Sequence, residues 1–406
     1  MRIVQINMWH KGSTGKIMFG IAECARNAGN KVLTFSPRVY QRCGIMEEPK
    51  IDGHNYFGFR KENMFHYILV RLAGMHGMYS VFGTMQLIRK LKSIEPDIIH
   101  IHNLHNYTIC LPLLFHYFKK SNSKVIWTLH DCWTMTGHCC HFAIAKCDKW
   151  KTGCYRCKQI KEYPKSYLDT TSIAYSIKRR LFTSIDDLMV VVPSQWLKKL
   201  TEESYLGDCP IRVIHNGINL DIFKPTESDF HKKYYCKDKK IVLGVSMGWS
   251  SKKGLEAFIE LASRLSENYQ IVLVGGDEKT DCQLPSNVIS IHRTQNQQEL
   301  AEIYTVADVF VNPTREDTFP TVNIESLACG TPVITFRTGG SPEIIDETCG
   351  SVVECDDVDA LEREIIRICS DKPYSQEACV KRAQQFDQRE KFKEYVELYE
   401  DMMHKK

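Results

Sequence analysis

The sequence of 406 residues lacks any hydrophobic run long enough to span a membrane, and its first residues, MRIVQINMW, show no charged leader and no small-residue cleavage site. These absences predict a protein that stays in the cytoplasm. In that reducing compartment, the 17 cysteines are expected to be thiols or metal ligands rather than disulfides.

Two common nucleotide-binding motifs are also missing. No GxGxxG follows a predicted strand, which disfavours a nicotinamide dehydrogenase. The segment HKGSTGKI (10–17) is similar to a P-loop, but His10 stands where the first glycine is required and Ile17 where Ser or Thr is required. Gly12 and Gly15 still predict a turn between strand and helix. That turn either presents backbone N–H groups to a phosphate or a close-lying ligand, or is only a tight turn.

Charge is divided unevenly along the chain. Residues 1–200 carry 29 Lys and Arg against 13 Asp and Glu, a net +16, and residues 201–406 carry 24 against 36, a net −12. The difference predicts two domains with different partners, the basic one facing an anionic partner such as phosphate, a membrane surface or nucleic acid. A basic solvated face is the alternative.

The order of apolar runs predicts two doubly wound α/β domains. Short β-rich runs such as PDIIHIHN (96–103) alternate with helical stretches, and several are too apolar to be half exposed, as in a buried parallel sheet. A new set starts at KKIVLGVS (239–246). A ligand is expected at the carboxyl ends of the strands, between the two sheets. The predicted parts are a first domain 1–206 with an insertion at about 132–158, and a second domain 207–387 that begins with a linker at 207–225. A final helix, 388–406, either caps the second domain or, as we expect, crosses back to the first.

The segment TGHCCHFAIAKCDKWKTGCYRC (136–157) has the cysteine density of a metal site. The close pair Cys154 and Cys157, preceded by Cys147 and Cys139, predicts a closed structural zinc site without catalytic chemistry. No basic recognition helix follows it, as a nucleic-acid-binding finger requires. Unligated thiols remain an alternative, as does a mixed site of three cysteines and one histidine, for which His138, Cys140 and His141 are further candidate ligands.

The segment REDTFPTVNIESLACGTPVITFRTGGSPEII (315–345) predicts a nucleotide-sugar site. It places Asp317 in a loop after a strand and Glu325 eight residues later, in the first turns of a helix. One carboxylate can accept the paired hydroxyls of a ribose, the other can hold sugar hydroxyls, and the helix N-terminus between them can receive a phosphate.

With this motif the chain resembles family 4 of the retaining glycosyltransferases, which have the GT-B fold of two facing Rossmann-like domains. The resemblance also covers TLHD (128–131), VPS (192–194), VIHNGIN (213–219) and KKG (252–254). The cysteine-bearing form HDCWTMTGHC is similar to a bacterial branch used in exopolysaccharide, capsule and colanic-acid-type polymer assembly.

The resemblance implies a role for each matching position. Glu325 would bind the ribose and Asp317, in the place usually held by Glu, the donor sugar. Lys253 would neutralise the diphosphate, and His130 would face the donor sugar from the first domain. The donor-binding set implied by the resemblance is completed by Gly12, Gly15, Lys252, Arg293, Thr321 and Val322. Two positions depart from the family pattern: Gly248 replaces an Arg that normally accompanies the Lys, and Pro320 replaces a Gly.

The resemblance also implies a reaction. A sugar would move from a UDP- or GDP-sugar to a saccharide acceptor with retention of configuration, without a catalytic metal. The expected acceptor is lipid-linked, in surface polysaccharide assembly. The alternatives are a nucleotide-sugar 2-epimerase of the same fold and a zinc-dependent nucleic-acid-binding protein; no nucleic-acid partner is expected in the favoured interpretation.

The segment 57–92 predicts where that acceptor is met. It mixes aromatic and aliphatic residues with six basic ones, and such a segment binds anionic lipid reversibly. We therefore expect a peripheral protein on the inner face of the cytoplasmic membrane. The alternative is a core helix pair with a solvated basic edge. The six basic residues are Arg60, Lys61, Arg71, Arg89, Lys90 and Lys92.

Overall fold

The structure is a computed structural model that describes residues 1–39, 48–236 and 238–404. The chain forms two compact units. The first consists of Met1–Ile214 together with Phe392–Lys406, and the second of His215–Lys391.

The first unit is built on a seven-stranded sheet in the order β3-β2-β1-β4-β5-β6-β7, with every neighbouring pair parallel. The strands are β1 Arg2–Ile6, β2 Lys31–Pro37, β3 His54–Phe57, β4 Ile98–Ile101, β5 Lys124–Thr128, β6 Leu188–Val192 and β7 Ile211–Val213. The helices are α1 Gly12–Asn27, α2 Arg60–Ala73, α3 Val81–Ile94, α4 Leu111–Lys120, α5 Thr171–Phe182 and α6 Gln195–Glu202. Two 3₁₀ turns, Trp133–Met135 and Lys149–Lys151, lie in the loop after β5.

The second unit has a six-stranded parallel sheet in the order β10-β9-β8-β11-β12-β13. Its strands are β8 Lys240–Val245, β9 Tyr269–Val274, β10 Val288–Ile291, β11 Val309–Asn312, β12 Val333–Phe336 and β13 Gly350–Val353. Its helices are α7 Phe230–Lys233, α8 Leu255–Arg264, α9 Glu278–Asp281, α10 Gln297–Val306, α11 Thr321–Ala328, α12 Ser341–Ile344, α13 Val358–Asp371 and α14 Gln376–Gln384, with a 3₁₀ turn at Ser251–Lys253. The last helix of the chain, α15 Gln388–His404, starts in this unit.

The prediction of two doubly wound α/β domains is confirmed, because the central strands are buried on both faces as their apolar sequences require. All four residues of β4 are buried, as are all four of β11. The pattern of apolar runs does not predict two of the strands. The edge strand β3, HNYF, is polar and only partly buried, and β7 is a three-residue strand inside the segment 207–225 that the sequence suggests as a linker. The sheet of the first unit therefore continues beyond residue 206.

Helix α15 ends the chain by packing in the first unit from Phe392 onward. Its buried residues join a core that includes Ile3, Ile17 and Ile21. Gly20 on α1 makes this close packing feasible, because a Cβ atom there would lie 2.2 Å from the Phe392 ring. The buried residues of α15 are Phe392, Tyr395, Val396, Leu398, Tyr399 and Met402.

We predict that Tyr399→Ala lowers the free energy of unfolding of the first unit by about 3–5 kcal/mol, because it leaves a cavity where a fully buried aromatic ring packs. Urea unfolding measures the change. Met403→Ala is the matched control, since Met403 is exposed on the same helix, and it should shift stability by no more than about 0.5 kcal/mol. Equal effects of the two substitutions would contradict the packing described here.

Candidate functional site

In the second unit, the loops after β8 and β11 bring two lysines to two carboxylates. Lys253 Nζ lies 2.8 Å from Asp317 Oδ2, and Lys252 Nζ lies 3.4 Å from Glu316 Oε2. The structure thus pairs Lys253, which the sequence predicts to bind the diphosphate, with Asp317, which it predicts to bind the donor sugar. Lys253 and Asp317 remain partly exposed, so the pair is open to exchange with a ligand.

Two glycines allow these loops to approach each other. Gly254 has a φ of +74°, and a Cβ atom there would lie 2.3 Å from the carbonyl oxygen of Pro313, directly after β11. Gly339 has a φ of +56°, and a Cβ atom there would lie 1.6 Å from the carbonyl oxygen of Asp317. Both positions therefore exclude a side chain for conformational and steric reasons. Gly254 of KKG therefore packs closely against Pro313, and Gly339 of TGGSPEII packs closely against Asp317.

Helix α11 supplies Thr321 and Val322 in its first turn and Glu325 in its second. Pro320 precedes the helix in an extended conformation, and it lacks the N–H group that a glycine there would offer. The hydroxyl of Tyr304, on α10, donates a hydrogen bond to Glu325 Oε2 over 3.3 Å. Since Tyr304 is fully buried, its hydroxyl anchors the carboxylate from inside the domain.

Arg293 and Gly248 contribute differently from what the family pattern implies. Arg293 is exposed in the loop after β10, the edge strand, which β9 separates from β8. Gly248, at the place where the family pattern has Arg, has a φ of +141°, so its backbone disfavours any side chain. The structure therefore gives Lys252 and Lys253, rather than residue 248, as the cations of this loop.

In the first unit, the predicted residues follow β1 and β5. Gly12 begins α1 with a φ of +71°, and Gly15 lies in the first turn of that helix. His130 follows β5, and its Nε2 atom lies 3.1 Å from Nδ1 of His102, which follows β4. Burial lowers the pKa of His130 to about 4, so the imidazole is neutral at physiological pH.

Directly after His130, Asp131 binds another histidine. Its Oδ2 lies 2.6 Å from His105 Nε2, and its Oδ1 accepts a hydrogen bond from the Trp133 N–H over 2.8 Å. Burial raises the pKa of Asp131, but the interactions with His105 and Trp133 outweigh it and lower the pKa to about 2. Among the residues that the structure describes, His105, Asp131 and Cys140 are the group whose metal-type ligand atoms all lie within 4.8 Å of one another.

The four predicted zinc ligands, Cys139, Cys147, Cys154 and Cys157, converge on one cavity of about 120 Å³. The stacked rings of Phe142 and Trp150 form part of its wall, with centroids 4.7 Å apart. Burial, followed by the proximity of the other three thiols, raises the pKa of Cys139 to about 12. Among the described residues, the four sulfur atoms are not all within 4.8 Å of one another, unlike the ligand atoms of His105, Asp131 and Cys140.

A buried lysine adjoins this cluster. Lys178, only 1% exposed, donates hydrogen bonds to the carbonyl oxygens of Thr136, over 2.7 Å, and Trp133. Its Nζ lies 3.6 Å above the Trp133 ring, close enough for a cation–π interaction. Burial lowers its pKa to about 7, although nearby thiols and Asp131 oppose that shift.

Helices α2 and α3 each bury some of their side chains, and each also exposes apolar side chains to solvent. These exposed side chains, called the apolar surface below, include Phe65 and Phe82 with 60% and 69% of their area exposed. Glu62 fixes the two helices together, because its carboxylate accepts the N–H groups of Phe82 and Gly83 at the start of α3. The apolar surface consists of Phe59, Met64, Phe65, Ile68, Leu72, Val81, Phe82 and Met85. No helix in the described part of the chain is long and apolar enough to cross a bilayer.

The apolar surface continues onto the segment that precedes α5, since Tyr167 N donates to Arg71 O at the end of α2. Tyr167 and Leu168 are exposed there. Of the six basic residues in segment 57–92, Lys61, Arg89 and Lys92 are exposed. Arg60 pairs with Glu48, Arg71 lies over aromatic rings, and Lys90 donates to a backbone carbonyl.

Comparison with known families identifies the chain. The model described as Glycosyltransferase Family 4 matches residues 19–222, half of the chain, and that described as Glycosyl transferases group 1 matches residues 226–386. The chain therefore belongs to glycosyltransferase family 4. It is a glycosyltransferase of the retaining, metal-independent class that transfers a sugar from a nucleotide sugar. The predicted family and enzyme class are thus confirmed.

Individual relatives agree with this assignment. "Putative colanic acid biosynthesis glycosyl transferase WcaC" of Escherichia coli (strain K12) is 26% identical over 292 residues, which are 68% of this chain and 69% of the relative. Sucrose-phosphate synthase from Thermosynechococcus elongatus matches 99% of both chains with a TM-score of 0.71 and 18% identity. Anabaena HepE in complex with UDP-glucose matches 99% of this chain and 100% of its own, with a TM-score of 0.69 and 12% identity. These structures confirm the GT-B fold.

Sequence reasoning missed three side chains that support the candidate residues. Tyr304 binds Glu325, His102 binds His130, and Lys178 adjoins the cysteines. A signal existed for one of them: His100 and His102 alternate along HIHN, so both side chains point to the same side of β4. Tyr304 and Lys178 lie on helices distant in sequence, where only the tertiary fold reveals their partners.

We predict that stability falls as pH drops below about 6.5. Burial lowers the pKa of His100 to about 3, so below 6.5 the unfolded chain binds a proton that the folded chain does not. Each such histidine costs about 1.4 kcal/mol by about pH 5.5. Thermal unfolding at about pH 7.5 and about pH 5.5 should show a smaller loss for His100→Gln than for the unmodified protein. His116→Gln, at an exposed histidine, is the control; an unchanged loss in His100→Gln would contradict the assignment.

Proposed function

We propose that the enzyme uses a UDP- or GDP-sugar as donor and binds its nucleotide at the carboxyl end of the second sheet. Glu325 accepts the ribose hydroxyls, and Lys253 and Lys252 receive the diphosphate. Asp317 holds hydroxyls of the transferred sugar. The pairing of Lys253 with Asp317, beside the start of α11, is the observation that supports this proposal most. HepE, which shares the fold, is known in complex with UDP-glucose.

The proposed site can stabilise the charges that develop during the reaction. Cleavage of the bond between the anomeric carbon and phosphate leaves negative charge on the diphosphate and positive charge on the sugar. Lys253 and the backbone N–H groups of Thr321 and Val322 stabilise the first, and Asp317 is placed for the second. Before the donor binds, Asp317 neutralises Lys253, so the loops carry little uncompensated charge. Such preorganised groups contribute several kcal/mol, about 3 for a single well-placed donor.

We predict that Glu325→Ala weakens UDP or GDP binding about tenfold to hundredfold, because hydrogen bonds to a charged partner contribute about 1.5–3 kcal/mol. Isothermal titration calorimetry measures the affinity. Glu347→Ala, at an exposed carboxylate of the same unit, is the control and should bind normally. Unchanged affinity in Glu325→Ala would remove the central residue of the proposed donor site.

In the first unit, His130 is proposed to contact the transferred sugar, with Gly12 and Gly15 approaching the donor by backbone. His130 is neutral, so it offers one hydrogen-bond donor and one acceptor to sugar hydroxyls. Neutrality suits a step in which positive charge develops on the sugar, since an imidazolium would repel it. Arg293 is proposed to assist the nucleotide from the loop after β10.

The acceptor is proposed to be a lipid-linked saccharide in surface polysaccharide assembly. The apolar surface supports this, because exposed aromatic and aliphatic side chains next to Lys61, Arg89 and Lys92 suit insertion into an anionic membrane. A groove of about 320 Å³ between Phe82, Met85 and Arg89 combines apolar walls with a cation. Glu62 also lines this groove, where its carboxylate already accepts the N–H groups of Phe82 and Gly83. The enzyme would then act as a peripheral protein on the inner face of the cytoplasmic membrane. Similarity to a protein named for colanic acid biosynthesis supports the polysaccharide part of this proposal.

We predict that the protein co-sediments with vesicles containing anionic lipid, and that salt weakens this binding. Phe65→Ser combined with Phe82→Ser should reduce the affinity for vesicles about a hundredfold or more, because each inserted Phe contributes about 1.5–3 kcal/mol. Ile366→Ser, at an exposed apolar residue of the second unit, is the control. Absence of binding at low salt, or binding that does not respond to salt, would favour a soluble acceptor.

We further propose that Cys139, Cys147, Cys154 and Cys157 bind one structural zinc ion. Their convergence on one small cavity supports it, as does the hydrogen bond of 3.2 Å from Gly137 N to Cys154 Sγ. Tetrahedral coordination needs sulfurs about 3.8 Å apart, given Zn–S bonds of about 2.3 Å. The four sulfurs must therefore draw together when the ion binds. The adjacent Lys178 would then offset the negative charge of four thiolates.

We predict about one equivalent of zinc in protein purified without chelator, and its loss in Cys154→Ser. Zinc loss should lower stability first, because the loop that follows His130 loses its cross-link. Cys282→Ser, at an exposed cysteine of the second unit, should keep the metal. Elemental analysis that finds less than about half an equivalent, or mapping of disulfides among the four cysteines, would contradict the site.

A further inference from the structure

A buried series of hydrogen bonds joins the C-terminal helix to His130. Tyr399 Oη lies 2.7 Å from His100 Nδ1 and accepts from the Gln5 amide nitrogen over 3.4 Å. The amide oxygen of Gln5 lies 3.4 Å from His102 Nε2. His102 Nδ1 completes the series at 3.1 Å from His130 Nε2. All five residues belong to the first unit.

The middle of this series is shielded from solvent. Gln5, His100 and His102 have no exposed area, so bulk water does not reach their hydrogen bonds. The main chain of His102 is held as well, because the Trp127 indole N–H donates to its carbonyl oxygen over 2.8 Å. The rings of His102 and His130 are nearly parallel, with 17° between their planes.

The direction of the hydrogen bonds follows from the chemistry of the groups. The Gln5 amide oxygen only accepts, so His102 Nε2 carries a proton. A neutral imidazole has one N–H group, and therefore His102 Nδ1 accepts. His130 Nε2 must then be the donor in the bond between the two rings. The remaining nitrogen of a neutral His130, Nδ1, carries a lone pair. Burial keeps both rings neutral by lowering their pKa values.

We propose that His102 is a positioning residue, which holds His130 in its Nε2–H tautomer and in one ring orientation. In that tautomer the lone pair of His130 is on Nδ1, and the fixed ring plane sets how His130 meets the transferred sugar. Without His102, the ring would populate both tautomers and lose its fixed plane. This inference rests on the proposed contact of His130 with the sugar, while the tautomer itself is a property of the protein alone.

Nitrogen-15 NMR of histidine-labelled, full-length protein at neutral pH tests the tautomer directly. His130 is assigned from the signal lost in His130→Gln. We expect the Nε2–H form in the unmodified protein, a mixture of tautomers in His102→Leu, and the Nε2–H form again in His102→Gln. The glutamine amide can accept from His130 and donate to Gln5, so it replaces both hydrogen bonds. His66→Gln, at a buried histidine bonded to Ser80 instead, is the control and should leave the His130 signal unchanged.

Turnover is measured on the same proteins. His102→Leu should lower kcat about tenfold or more with KM for the donor changed less than about twofold, and His102→Gln should recover most of kcat. An Nδ1–H form of His130 in the unmodified protein, an unchanged tautomer in His102→Leu, or failure of the folded His102→Gln protein to recover kcat would each overturn the inference. His130→Ala with unchanged turnover would contradict the proposed role of His130 instead, and the NMR result distinguishes the two failures.

Discussion

Parallel pairing of the strands within each sheet determines where the candidate residues meet. Because all strands of a sheet point the same way, the loops that leave their carboxyl ends gather along one edge. In the second unit this edge unites Lys253 after β8 with Asp317 after β11. In the first unit it unites His102 after β4 with His130 after β5. Each pair is distant in sequence, and each becomes a contact through sheet order alone.

Two buried charged groups of the first unit, Asp131 and Lys178, are each hydrogen-bonded to specific partners. Asp131 stays ionised because His105 and the Trp133 N–H bind its two oxygens, and Lys178 is tied to two carbonyl oxygens. Such groups are costly to bury unless they are hydrogen-bonded, so they fix the conformation of the loop that follows β5. The proposed zinc site and His130 lie on this same loop. The conformation of the loop therefore links the proposed zinc site to the position of His130.

Features that repeat along the chain, or whose residues cluster within a short segment, can be predicted from the sequence. The apolar runs of β4 and β11 predict buried parallel strands, and the carboxylate motif 315–345 predicts the nucleotide-sugar class. Sequence was insufficient where an element has little apolar content, as in β3, or is very short, as in β7. It also could not reveal Tyr304 behind Glu325, because a single tyrosine on a helix gives no periodic or local signal. The sequence indicates the segment 57–92 that carries the apolar surface, but the extension of that surface to Tyr167 and Leu168 depends on tertiary packing.

A crystal structure of the protein with UDP or GDP, whichever raises the thermal unfolding temperature more, tests the proposed donor site directly. We expect the ribose hydroxyls within hydrogen-bond distance of Glu325 and the diphosphate on Lys253, with the Lys253–Asp317 pair opened. A nucleotide bound elsewhere, or bound while that pair stays closed and Glu325 makes no contact with the ribose, would contradict the proposed site.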